Sequence, residues 1–167
     1  MENEVEDLAL LAWRDEGTWT VNEISSEATS DIGIALDALR AKQVNGGALA
    51  FLSIDDAFFI LIRQIGMKMQ MVLSDVMAAL DYEIAAEVLE LLDIDLPAED
   101  DSDEPAGDLN LLEDLGIDAM ELQAICDDDG MYPDEQLEAI ARRIGCGDEY
   151  LDALEGERIT RKQCAPL

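Results

Sequence analysis

Apolar residues concentrate between Gly46 and Asp93, and their spacing changes character along that stretch. Ala48 to Ile54 is a short apolar run, Asp55-Asp56 is a turn candidate, and Phe58 to Ile62 is a second run. From Met67 to Leu73 the pattern alternates, with Met67, Met69, Met71 and Leu73 on one face and Lys68, Gln70 and Val72 on the other. A period of two predicts a strand. Ser74-Asp75 then offers cap chemistry, and the period becomes helical through Val76, Leu80, Ile84, Val88 and Leu91/Leu92, predicting one long helix. Upstream, Val5 to Arg14 reads as a strand, Asp15-Glu16-Gly17 as a turn and Thr18 to Ile24 as the returning strand of a hairpin. Asp31 to Lys42 carries a helical stripe of Ile32, Ala35, Leu36 and Leu39, stopped by Asn45-Gly46-Gly47.

The predicted order is β-β-α-β-β-β-α, an α+β fold. Each of the two helices has one apolar face, so they are expected on one face of an antiparallel sheet. Residues 1–94 form this sheet domain. Residues 95–107 are acidic and hold Pro97 and Pro105, which predicts a linker without regular structure. Residues 108–155 show only short helical patterns, a small all-α region: a stop at Gly116, a cap at Asp118, a helix start at Tyr132-Pro133 and a stop at Gly145. Residues 156–167 are a tail holding the basic cluster Arg158, Arg161 and Lys162.

Charge sharpens this picture. The 167 residues hold 40 Asp+Glu against 10 Lys+Arg, a formal net charge of −30. Phosphate neutralisation needs clustered Lys and Arg, so direct binding to nucleic acid or anionic membrane is not expected. A basic protein partner, metal ions or simple solvation remain. No His occurs in the chain, which removes the Ser/His/Asp and Cys/His catalytic arrangements and the His-containing zinc sites of deaminases and proteases. Three widely spaced Cys (Cys126, Cys146, Cys164) and an acidic N-terminus point to a reducing cytoplasm without a signal peptide, and no apolar run is long enough to span a membrane.

Candidate sites are few. Calcium loops centred on Gly130 and Gly107 fail at first positions Ile125 and Ser102, so neither is an EF-hand. No phosphate-binding glycine motif occurs, and no cofactor is implied. Asp75 is read as a helix cap. The Met67/Met69/Met71 stripe fills core space against the helices or forms an adaptable partner-facing surface. Asp100, Asp101 and Asp103 of the linker are the remaining candidates for a partner-facing role.

Several stretches resemble a known family. They are Val72-Leu73-Ser74-Asp75 with Ala78-Ala79-Leu80-Asp81, Pro105-Ala106-Gly107-Asp108-Leu109, Asp114-Leu115-Gly116, Ile125-Cys126-Asp127-Asp128 and Tyr132-Pro133-Asp134-Glu135-Gln136-Leu137. Together they are similar to the actinobacterial tRNA adenosine deaminase-associated proteins, over about Leu8 to Leu154. The resemblance implies association with the deaminase, largely through neighbouring genes, and supplies no catalytic or binding residues. The chain is therefore expected to be a non-catalytic acidic accessory protein whose partner is tRNA adenosine deaminase or another basic protein. The alternatives are a homodimeric interaction module of unrelated role and, lower, a Mg²⁺-dependent enzyme using acid clusters.

Overall fold

In the computed structural model the described residues are 7–42, 47–100, 104–128 and 130–154. The strands are β1 (Leu8–Asp15), β2 (Thr18–Glu23), β3 (Ala48–Ile54), β4 (Phe58–Ile65), β5 (Lys68–Leu73) and β6 (Ala106–Gly107). They form one antiparallel sheet in the order β2-β1-β3-β4-β5-β6. Helix α1 (Ile32–Ala41) follows β2 and helix α2 (Glu83–Leu92) follows β5, and α3 (Ala119–Cys126), α4 (Pro133–Ile144) and α5 (147–154) close the described chain.

Alternation along the central strands divides the core in two. Ala48, Ala50, Leu52 and Ile54 of β3, with Phe58, Ile60 and Ile62 of β4, pack beneath α1 and α2. Leu49, Phe51, Phe59 and Leu61 face the other way and pack beneath α3, α4 and α5. All seven residues of β3 are buried, the mark of a strand covered on both faces. The α+β class and the strand–helix order agree with the sequence reading, and α1 and α2 share one face as expected. The opposite face carries the C-terminal helices, so residues 108–154 share a core with the sheet.

Two local expectations are corrected. The helix after Ser74-Asp75 is not continuous. Asp75 caps a 3-10 turn, Val76–Leu80, by accepting from Met77 N at 3.0 Å. Tyr82 then takes extended angles and α2 begins at Glu83. The break lets the Tyr82 ring pack on Phe58, with centroids 5.0 Å apart, and buries Ala78 and Ala79 rather than Leu80. The connector is not free of regular structure either. Ala106 and Gly107 pair with Leu73 and Val72, because Gly107 (φ 113°) approaches β5 so closely that a Cβ would lie 2.2 Å from Met71 O.

One buried cation fastens the C-terminal layer. Arg63 of β4 is 3% exposed, and its guanidinium donates to Leu111 O at 2.8 Å and, through both terminal nitrogens, to the Asp114 carboxylate. That fork holds the Asp114 carboxyl below its ordinary value of 3.8, the hydrogen bond to Arg63 being the main cause.

Candidate functional site

The strand ends define two chemically different poles. One is built around the β3–β4 turn. Asp55 and Asp56 both hold left-handed angles (φ 57° and 53°), where hairpins ordinarily place Asn or Gly. The turn is held from both sides: Asp55 N donates to Asp7 Oδ1 at 2.9 Å, and Tyr82 Oη donates to Asp55 Oδ2 at 2.6 Å. That bond pushes the Tyr82 phenol up to about 12.

Two open clefts flank the turn. On the α1/α2 side lies a cleft of about 330 Å³ lined by Asp7, Thr29, Ser30, Ile54, Asp55, Tyr82, Glu83 and Ile84. On the α3/α4 side lies one of about 560 Å³ lined by Asp56, Ala57, Ser74, Asp75, Glu104, Cys126, Asp127, Asp128, Met131, Pro133 and Gln136. Its walls are fixed by the backbone. Ser74 Oγ accepts from Phe59 N at 2.9 Å, and Gln136 Nε2 donates to Ile125 O at 2.7 Å, locking the end of α3 to the start of α4. Burial, then the charges of Asp134, Asp55 and Asp7, raise the Asp56 carboxyl above its ordinary 3.8.

Cations lie elsewhere. Of the ten Lys and Arg, three fall in residues 155–167 and seven are described: Arg14, Arg40, Lys42, Arg63, Lys68, Arg142 and Arg143. All seven sit toward the opposite pole, at the end of β1, the end of β4, the start of β5 and the last turns of α1 and α4. Cross-contacts tie that pole together. Lys42 Nζ lies 4.0 Å from the Trp13 ring centroid, and the end of α4 at Gly145 abuts Trp19. Among the described residues the protein is therefore acidic at one end of its sheet and of mixed charge at the other.

The residues singled out in sequence are not gathered at either pole. Met67 is fully exposed in the β4–β5 turn, Met69 is half-buried and Met71 is buried, the last two against the α1/α2 layer. Asp100 is exposed in the connector, and Asp101 and Asp103 lie outside the described residues. Asp75 both caps its turn and lines the larger cleft. Sequence reasoning missed the assembly of Asp7, Asp55, Asp56, Asp127, Asp128 and Asp134, which are scattered over more than a hundred positions. The one local signal was Asp55-Asp56 in a tight hairpin.

The acidic end offers carboxylates, and neither described thiol is activated. Burial and Asp127 push the Cys126 thiol up to about 12, and burial with Glu149 does the same to Cys146. Among the described residues no three Cys, Asp or Glu side chains come together as a metal-holding group. The carboxylates of this end suit attraction and hydrogen bonding to cationic groups.

A family model described as Rv3753c-like tRNA adenosine deaminase-associated protein matches residues 7–147. The chain belongs to that family. Protein Rv3753c of Mycobacterium tuberculosis (strain ATCC 25618 / H37Rv) is 39% identical over 139 residues, covering 81% of this chain and 80% of the relative. No solved structure matches the chain. The family match runs from the start of β1 through the connector and α4, so it takes in the sheet and both helical layers. Among the described residues no helix is long and apolar enough to cross a membrane.

Proposed function

We propose that the protein is a non-catalytic accessory protein in tRNA adenosine deamination, acting in the cytoplasm and docking its acidic end on a basic surface of the deaminase or of another RNA-handling protein. The observation that carries the reading is the segregation of charge. The pole around Asp55-Asp56 presents carboxylates from the β1 start, the β3–β4 turn and the α3–α4 loop, while the described cations lie toward the other pole. Family membership supports the choice of partner. The absence of His from the chain and the two raised thiols support the non-catalytic part.

Such a surface competes with tRNA for the same basic residues, which makes the accessory protein a regulator of substrate access. The test is comigration of the purified chain with the deaminase at low ionic strength, together with deamination rates. Binding is expected to weaken steeply as salt rises, and in the Asp127→Asn/Asp128→Asn variant. Both changes keep hydrogen-bonding side chains at the end of α3 while removing two charges. Absence of any complex, with no effect on deamination, would sink the reading.

A further inference from the structure

We propose that the chain forms a twofold dimer by pairing β2 with β2 of a second copy, joining two six-stranded sheets into one of twelve. β2 is an outer strand, and among the described residues no strand pairs with its outer side. It is six residues long and contains no Lys, Pro or bulge, the devices by which edge strands usually avoid pairing.

The register follows from the hydrogen-bond parity. Asp15 pairs with Thr18 across a two-residue turn in which Glu16 and Gly17 both have positive φ (55° and 82°), which makes 15/18 a hydrogen-bonded pair. Ile24 N donates to Ala9 O at 3.1 Å, confirming that even-numbered residues bond to β1. Trp19, Val21 and Glu23 therefore direct their N–H and C=O groups outward, and none of the three has a backbone hydrogen bond beyond the ladder among the described residues. Only a register centred on Val21 lets all three pair symmetrically. Val21 then faces Val21 of the second copy, Thr20 faces Asn22, and Trp19 faces Glu23.

Charge complementarity selects a second copy as the occupant. Glu23 is the single charge that β2 carries. In this register it meets Trp19, over whose ring Arg14 already sits at 5.5 Å from the centroid, so the second copy's carboxylate joins a row containing a cation. No two acids of β2 are opposed. On the larger scale, antiparallel pairing sets the acidic pole of each copy beside the mixed-charge pole of the other and sends the two acidic poles to opposite ends of the joined sheet. Overall repulsion between two chains of −30 persists, so the dimer is expected to tighten with salt. Salt weakens docking on a basic partner, which keeps the two readings separable.

The test is sedimentation of the full chain over a range of concentrations, at about 0.15 M and about 0.5 M NaCl. The expected result is a monomer–dimer equilibrium that shifts toward dimer at the higher salt. Glu23→Pro removes an outward N–H and leaves the β1 ladder intact. It is expected to raise the dissociation constant at least about tenfold with the far-ultraviolet spectrum unchanged. The Thr20→Cys/Asn22→Cys variant places cysteines directly opposite at a spacing of about 4.5 Å, within disulfide reach, and is expected to give an oxidised covalent dimer beyond that of the parent chain. A strict monomer at both salts overturns the proposal. So does a dimer that Glu23→Pro leaves unchanged and that the cysteine pair does not cross-link, because it then forms through another face.

Discussion

Asp56 and Asp114 carry opposite pKa shifts, and their signs set the pH dependence of stability. Asp56 is raised, so the native state binds its proton more readily than the unfolded chain, and stability rises as pH falls through its folded value. Asp114 is lowered by Arg63, so its contribution is complete above the unfolded carboxylate value of about 3.9 and is lost as pH falls through the lower folded value. For these two groups the stability maximum falls near pH 4, and thermal melts from neutral to strongly acidic pH would show it. Asp56→Asn should flatten the limb above the maximum and raise stability at neutral pH by about 0.5 kcal/mol, since Asn suits the left-handed angle. Asp114→Asn should remove the acidic limb and cost about 1 kcal/mol at neutral pH. The cost is modest because Asp114 is 65% exposed and water screens what remains. Neither role was legible in sequence. Arg63 follows the apolar run of β4 like any strand end, and only the fold brings Asp114 to it across 51 positions.

At the scale of elements, capping chemistry was the most readable signal and helix continuity the least. Asp118 caps α3 by accepting from Glu121 N at 2.8 Å, Pro133 opens α4 and Gly145 closes it (φ 105°), all as their residue types required. The long helix read after Ser74 failed because Val76, Leu80 and Ile84 fit one helical stripe whether or not the backbone breaks between them. Tyr82 makes the break by packing on Phe58 and bonding to Asp55, partners that no local pattern reveals. β6 was missed because two residues carry no periodicity, and proline and acid content outweighed a single glycine. That glycine is the test of the element. Gly107→Ala combines a positive φ with a Cβ driven against Met71 O, and should cost about 2–3 kcal/mol in urea unfolding, with the slope against denaturant unchanged.

For the whole molecule, the decisive feature is that the sheet has no open face. The signal lies in β3 and β4, whose apolar runs lack the polar alternation of a half-exposed strand. Composition marks residues 95–107 as a connector, and an acidic, proline-containing connector looks the same whether it joins separate domains or two halves of one core. The consequence is measurable. A chain ending at Asp100 would keep every strand except β6 and both α1 and α2, yet it would leave Leu8, Leu10, Phe51, Phe59, Leu61 and Val72 uncovered. It would also leave Arg63 buried in no layer and without Leu111 and Asp114. Such a fragment is expected to aggregate, or to bind a hydrophobic dye while losing its near-ultraviolet signal. The full chain, with two layers sharing one sheet, is expected to unfold in one transition whether followed at Trp13 and Trp19 or at the far-ultraviolet helix signal. A folded fragment with a sharp transition of its own, or two separated transitions in the full chain, would mean that the C-terminal helices are an appendage rather than half of the core. The acidic pole would then lose its α3–α4 wall as a fixed feature, because that packing places Asp127, Asp128 and Asp134 near Asp56.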